Sequence, residues 1–248
     1  MSEIVNTNDR GLEVRRTARG PSRGNSLAAG VLYILTFISV PTFALYAAAR
    51  DPAFIVGPGP DGGVIFGGVL EIFMGLACIG TAVALYPAVR KHGEAVALGF
   101  VGARILEAGT IFAGVVSLMT LVTLRQSRVG DEALGRALIG FYDWFHLGQN
   151  LMPAVNAMLL GSLLYRSRLV PRVLPILGFI GAPVLVANTI VLMFGVTGPL
   201  LTLTTLSVIP IATWELSLGV WLTVKGFRPV AGSPPAEERA GGNLARLG

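Results

Sequence analysis

Long apolar stretches alternate with short polar connections between Ser26 and Val224. Each stretch has about 20 residues or more, which is the length that a helix needs to cross the hydrocarbon core of a bilayer. The pattern predicts crossings at about residues 27–46, 64–89, 95–124, 138–165, 173–195 and 199–224. The last two stretches are separated only by residues 196–198. We predict two crossings there, because together they extend over about 50 residues, more than twice what one crossing needs.

The two ends of the chain have a different composition from this region. Residues 1–25 are polar and rich in arginine, and residues 227–248 are rich in glycine, proline and charge, so we expect a disordered arm and a disordered tail. Residues 26–226 are then an all-α bundle of about six transmembrane helices. Arg15 and Arg16 before the first stretch also suit a cleaved export signal. The stretch has about 20 residues, however, and the apolar part of a signal has about 7 to 15, which favours an uncleaved helix.

Most of the 19 basic residues lie in connections on one side of the predicted bundle. That side has Arg10, Arg15, Arg16, Arg19, Arg23, Arg90, Lys91, Arg166, Arg168, Arg172, Lys225, Arg228, Arg239 and Arg246. Because cytoplasmic loops carry an excess of Lys and Arg, this asymmetry predicts that both termini are cytoplasmic. We also expect kinks at the prolines inside the predicted helices, which are Pro153, Pro183 and Pro210.

Composition supports a lipid environment. The chain has 53% hydrophobic and 13% charged residues, and its mean hydropathy is +0.69. A soluble fold of this size has too little interior to bury so much apolar surface. The net charge of +5 and the pI of about 9.9 do not indicate nucleic-acid binding, since the basic residues are spread over short loops without forming a stripe. Cys78 is the single cysteine, which excludes an intramolecular disulfide and a cysteine-based zinc site.

Ionisable side chains also occur inside the apolar stretches. Each costs about 2.5 to 3.5 kcal/mol at the centre of an inserted helix, so such residues are rarely present without a partner or a function. At about 1.5 Å of rise per residue, those on different helices fall in one layer, about 11 to 16 Å from the outer edge of the core. Three candidates on the fourth helix have i, i+3, i+7 spacing, which predicts one face turned into the bundle. The candidate residues are Glu71, Arg104, Glu107, Asp143, His146, Asn150 and Glu215.

Two interpretations of this layer remain open. Arg104 paired with Glu71 or Glu215 would fix the register of the helices and do nothing more. The surplus of carboxylates over cations suggests instead that some carboxylates bind protons, that water reaches them, or that a cation lies among them. Small residues recur every four residues on helix three, including Gly99, and a comparable stripe on helix two includes Gly68 and Gly75. These stripes predict close packing of the two helices.

Other kinds of site lack the residues they need. His146 is the only histidine in the layer, which argues against an intramembrane metal enzyme, and no serine there has a histidine base beside it. We therefore expect no catalytic residues, no metal and no cofactor. The expected partners are the lipid bilayer and a small solute, a cation or a proton. The alternative is a non-catalytic membrane interaction or accessory protein whose buried polar residues only set helix packing.

Three segments carry a resemblance to a known family. They are LEIFMGLACIGTAVALYPAVRK at 70–91, LMPAVNAMLLGSLLYRSRLVP at 151–171 and TWELSLGVWLTVKGF at 213–227. The chain resembles the bacterial family of domain of unknown function 4386 over nearly everything except the two ends. The resemblance implies a multi-pass protein of the bacterial cytoplasmic membrane. It implies no substrate, cofactor or site residue.

Overall fold

The computed structural model describes residues 22–195 and 200–228, and every regular element within these ranges is helical. The α-helices are α1 Arg23–Leu35, α2 Thr42–Leu45, α3 Gly62–Val89, α4 Glu94–Gln126, α5 Glu132–Ser167, α6 Val173–Met193 and α7 Leu200–Val224. Short 3-10 helices lie at Thr36–Ser39, Ala48–Arg50, Pro52–Ile55 and Arg90–His92. Since α1 and α2 together form one span, the described chain has the six spans that the apolar pattern predicts, with α6 and α7 separate.

Five segments are long and apolar enough to cross a membrane: Arg23–Leu45, Gly62–His92, Glu94–Gln126, Val173–Met193 and Leu206–Val224. The sixth span, α5, is longer still at 36 residues. Its length of about 54 Å is ample for a crossing. It is less apolar because polar residues such as Gln149 and Asn156 lie on its buried side. The chain is thus an all-α, multi-pass membrane bundle, as predicted.

The six spans form a closed ring. Each helix packs against two neighbours, in the order α1, α3, α4, α5, α6, α7 and back to α1. Arg23 at the start of α1 closes the ring, because its guanidinium donates to the carbonyl oxygens of Leu222, Thr223 and Val224 at distances of 3.2, 2.7 and 3.1 Å. A cation at a helix C-terminus is favourable, since the last carbonyls of the helix have no partner within it.

Glycines allow α7 to approach its two neighbours closely. A Cβ atom at Gly30 of α1 would lie 2.7 Å from the Gly219 carbonyl oxygen and 2.5 Å from the Thr223 nitrogen of α7. A Cβ atom at Gly178 of α6 would lie 3.0 Å from the ring of Trp214. Small residues at such contacts let transmembrane helices pack backbone to backbone. These contacts set the distance of α7 from both α1 and α6.

The predicted stripes of small residues only partly join the helices expected. On α3, Gly68 and Gly75 do face α4, and a Cβ atom at Gly75 would lie 2.7 Å from the ring of Phe112. On α4, Gly99 faces Leu159 of α5 instead of α3. In a ring each helix has two neighbours, so two stripes on consecutive helices need not face each other.

The first span is broken, whereas the apolar pattern predicted one continuous helix. The α-helix ends at Leu35, and Pro41 separates the 3-10 helix Thr36–Ser39 from α2. Proline has no N–H to donate and disfavours helical geometry at the residue before it. Hydroxyl groups satisfy carbonyl oxygens in the break: Thr36 Oγ1 donates to Tyr33 O at 2.7 Å, and Thr42 Oγ1 donates to Ser39 O at 2.6 Å.

The predicted ends of the chain lie largely outside the described residues, at 1–21 and 229–248. Of the predicted arm 1–25, only the last few residues are described, and there α1 already begins at Arg23 with Ser22 as its N-cap. Pro153, Pro183 and Pro210 all lie inside helices, as expected, while the kinks there stay predictions.

Gly30→Val should destabilise the bundle, because the added side chain meets the backbone of α7 at Gly219 and Thr223 as well as the Thr223 hydroxyl group. We expect a loss of about 1–3 kcal/mol in the free energy of unfolding, the usual cost of overpacking. The measurement is SDS-induced unfolding in mixed micelles, followed by circular dichroism. Gly102→Val is the matched control, since a Cβ atom at Gly102 has nothing within 4 Å. Equal losses for the two variants would contradict the close contact of α1 with α7.

Candidate functional site

Arg104 of α4 lies at the centre of the ring with 1% of its surface exposed. Its Nη2 atom donates to Glu215 Oε1 on α7 at 2.8 Å, and its Nη1 atom donates to Glu107 Oε2 on its own helix at 3.0 Å. Nη1 also lies 3.6 Å from the Cys78 sulfur of α3. Charge-assisted hydrogen bonds of this kind are the strong ones in proteins. Of the two predicted partners, Glu215 therefore pairs with Arg104 and Glu71 does not.

Aromatic and amide groups complete the surroundings of this guanidinium. Its carbon lies 4.8 Å from the ring centre of Tyr33 on α1 and 5.9 Å from that of Phe100. Asn156 Nδ2 of α5 donates to Glu107 Oε2 at 2.8 Å. We call this group, which joins five of the six spans, the Arg104 cluster: Tyr33, Cys78, Phe100, Arg104, Glu107, Asn156 and Glu215.

A second polar group surrounds Glu71 of α3, which is 2% exposed. Tyr142 of α5 donates its hydroxyl hydrogen to Glu71 Oε1 at 2.9 Å. The Tyr142 ring stacks on His146, with ring centres 5.8 Å apart, and contacts the edge of Tyr46 at 5.4 Å. We call Tyr46, Glu71, Tyr142 and His146 the Glu71 cluster. The Glu71 carboxylate thus accepts a hydrogen bond from a phenol hydroxyl, whereas those of Glu107 and Glu215 form ion pairs with Arg104.

One cavity of about 160 Å³ touches both clusters. Its lining includes six of the seven candidate residues named from the sequence: Glu71, Arg104, Glu107, His146, Asn150 and Glu215. The broken segment of the first span supplies one wall, with Thr36, Ser39 and Thr42 among its residues. The cavity therefore lies where the first span is interrupted, beside the polar layer that the sequence predicted.

Asp143 is the exception among the seven candidates. It does not line this cavity, and its carboxylate binds Arg50 at 2.9 Å with about half of each side chain exposed. The inward face of α5 instead carries Tyr142, His146 and Gln149, at i, i+4 and i+7. Asp143 lies about 100° around the helix from Tyr142, so it points toward the loop that carries Arg50.

Several buried polar atoms around the cavity have no hydrogen-bond partner among the described residues. On residues that line the cavity they are Glu71 Oε2, Arg104 Nε and His146 Nδ1. An unsatisfied buried polar group costs about 1–3 kcal/mol, and more when it is charged, so each one needs an explanation. Beside a cavity large enough for several waters or a small molecule, the simplest explanation is that these atoms face an occupant.

Sequence reasoning missed Tyr33, Tyr142 and the break. Tyr142 could have been found, because it shares the i, i+4, i+7 face with His146 and Gln149. The break also had a signal, since Pro41 lies among the hydroxyl residues Ser39 and Thr42 near the end of an apolar stretch. No sequence signal indicated Tyr33, because a single tyrosine in an apolar helix does not reveal which neighbouring helix it faces.

The cavity offers carboxylates, a guanidinium and an imidazole, but no set of metal ligands. No group of three or more His, Cys, Asp or Glu side chains in the described part of the chain is arranged to hold a metal ion. This set of groups can bind a cation or exchange protons.

Comparison with known proteins places the chain in a family. The family model with the description "Domain of unknown function (DUF4386)" matches residues 28–226, from within α1 to just beyond the end of α7, and the chain belongs to this family. Searches of the curated proteins and of the solved structures found no match to the chain.

Arg104→Leu should strongly destabilise the protein, because it leaves Glu107 and Glu215 buried without their cation. Removing one partner of a buried ion pair costs about 3–5 kcal/mol in the free energy of unfolding. Adding Glu107→Gln and Glu215→Gln to Arg104→Leu should recover part of that loss. Unfolding in mixed SDS micelles measures both effects. Arg50→Leu is the control and should cost less than about 1 kcal/mol, since its pair with Asp143 is half exposed.

Proposed function

We propose that this member of the DUF4386 family takes up a proton or a small cation in its cavity, as a transporter-like protein for a small solute. The observation that carries the proposal is the carboxylate surplus of the lining, where Glu71, Glu107 and Glu215 face a single guanidinium. We further propose that the membrane is the bacterial cytoplasmic membrane and that both termini are cytoplasmic.

Charge balance supports uptake of positive charge. With the three carboxylates ionised, the lining carries two net negative charges when His146 is neutral and one when it is protonated. Interactions between charges are strong in an interior of low dielectric constant, and buried net charge there is costly. A bound proton or cation lowers the net negative charge of the lining and therefore lowers this cost. Glu71 is the natural acceptor, because its Oε2 atom has no partner among the described residues.

The interrupted first span supports the same function. Irregular backbone at membrane depth is tolerated where it is buried in protein or lines a cavity, and broken helices often form the binding sites of transporters. Here the 3-10 helix Thr36–Ser39 and the residues after it form part of the cavity wall.

One observation favours the alternative, a membrane interaction or accessory protein in which the polar residues only set packing. The Nη1 and Nη2 atoms of Arg104 are both bound to carboxylates, and Glu107 also accepts from Asn156. Such an ion-paired cluster can serve to fix helix register alone. That alternative assigns Glu71 only its hydrogen bond from Tyr142, and among the described residues no cation pairs with this buried carboxylate.

The proposed orientation can be tested by C-terminal fusions of the full chain. A fluorescent protein that folds only in the cytoplasm should be bright, and alkaline phosphatase, which is active only outside, should be inactive. The physical reason is the concentration of basic residues such as Arg90, Arg166 and Lys225 at the end of the bundle that carries both termini. A dark fluorescent protein together with an active phosphatase would place the C-terminus outside the cytoplasm and contradict the proposed orientation.

Uptake itself can be tested in proteoliposomes that contain a pH-sensitive dye. An imposed potassium diffusion potential, negative inside, should drive proton influx, and Glu71→Gln should reduce the influx about tenfold or more, the effect of removing a proton-transfer group. Glu132→Gln is the matched control, because Glu132 is exposed and pairs with Arg136 outside the cavity. Influx that is equal in wild type, in Glu71→Gln and in empty liposomes would favour the accessory alternative.

A further inference from the structure

The cavity reaches the protein surface through apolar side chains. Three residues of its lining are exposed: Val40, Phe43 and Val208, with 57%, 73% and 38% of their surface accessible. The carboxylates and the guanidinium of the lining, on Glu71, Glu107, Glu215 and Arg104, are all buried, while Ser39, His146 and Asn150 are half-buried. Exposed apolar surface in the spans of a membrane bundle faces lipid chains. The mouth formed by Val40, Phe43 and Val208 therefore faces the bilayer.

The path of the first span explains why a gap exists there. Over α1 the span lies against α7, with Gly30 against Gly219. After Leu35 the chain packs against α3, through Thr36–Ser39 and then Thr42–Leu45. The first span thus moves away from α7 at the break. Val40 and Phe43 lie on one side of the resulting gap, and Val208 lies on the other.

The inner end of the cavity is suited to a positive head group. Glu71 offers a buried carboxylate oxygen without a partner among the described residues. Nearer the mouth, Phe43 adds an aromatic ring to the lining. Aromatic faces attract ammonium groups, most strongly when these are desolvated. The cavity volume of about 160 Å³ is similar to that of an engineered cavity of about 150 Å³ that binds benzene. Only a small head group fits inside, so any longer ligand must project through the mouth.

We propose that the ligand is an amphiphilic monocation, an ammonium head with an alkyl or aryl tail, that enters from the bilayer. The head lies at Glu71, and the tail passes between Val40, Phe43 and Val208 into the lipid. This inference rests on the proposed function in that it takes the cavity to accept positive charge, and it adds the ligand class and the route.

The test uses the full chain in lipid nanodiscs and two probes with the same head group, radiolabelled hexyltrimethylammonium and tetramethylammonium. Binding to empty nanodiscs is subtracted. We expect the hexyl compound to bind at least about tenfold more tightly than tetramethylammonium, because its tail stays in an apolar environment. Val208→Trp should weaken binding of the hexyl compound about tenfold by filling the mouth. Val220→Trp is the matched control, since Val220 is an exposed apolar residue of the same helix that does not line the cavity.

Each outcome separates this inference from the proposed function. Preference for the hexyl compound, lost in Val208→Trp and kept in Val220→Trp, supports the lipid route. Equal binding of both probes, unaffected by Val208→Trp, overturns that route and leaves cation uptake standing. No binding of either probe, together with proton influx that depends on Glu71, overturns the ligand class and leaves proton uptake standing. No binding and no influx removes both.

Discussion

The ion pairs of Arg104 determine how closely the six spans must pack. A guanidinium surrounded by a ring of apolar helices is stable only if carboxylates meet it, and these come from α4 and from α7 on the far side of the ring. To bring Glu215 within 2.8 Å, α7 must be held close to its neighbours. Gly30 and Gly178 permit this closeness on its two sides. The small residues of the bundle and its central charge therefore depend on each other.

The bundle is tightly packed where α1 runs along α7, and its cavity lies where the first span is broken. Where α1 runs along α7, the glycine contact leaves no space, and Arg23 fixes the two helix ends to each other. Pro41 and the 3-10 helix before it prevent the first span from following α7 any further. The cavity forms beyond that point. It is thus a product of a single break, and the hydroxyls of Thr36 and Thr42 make that break tolerable in lipid by satisfying nearby carbonyls.

The number of spans and the polar layer could be predicted because both follow from one-dimensional quantities, apolar length and depth along a helix. The pairing of Arg104 with Glu215 could not, because depth alone does not say which helices face each other across a ring. Asp143 shows the limit of helical periodicity. Asp143 is at helical spacing from His146, but so are Tyr142 and Gln149. Only the packed structure shows that Tyr142 and Gln149 are buried whereas Asp143 is half exposed. The break depends on tertiary contacts as well, since Pro210 lies inside a continuous helix whereas Pro41 interrupts one.

The structural and the functional interpretations of the buried carboxylates apply to different residues. Glu107 and Glu215 bind Arg104 directly, and a proton on either one would weaken a contact that holds the ring together. Glu71 lines the cavity, has no cation within salt-bridge distance among the described residues, and accepts a hydrogen bond from Tyr142 on one oxygen while the other has no partner there. It can therefore gain or lose a positive partner without breaking an ion pair. Under the proposed function, this division lets one layer of acids stabilise the bundle while Glu71 remains available to a ligand.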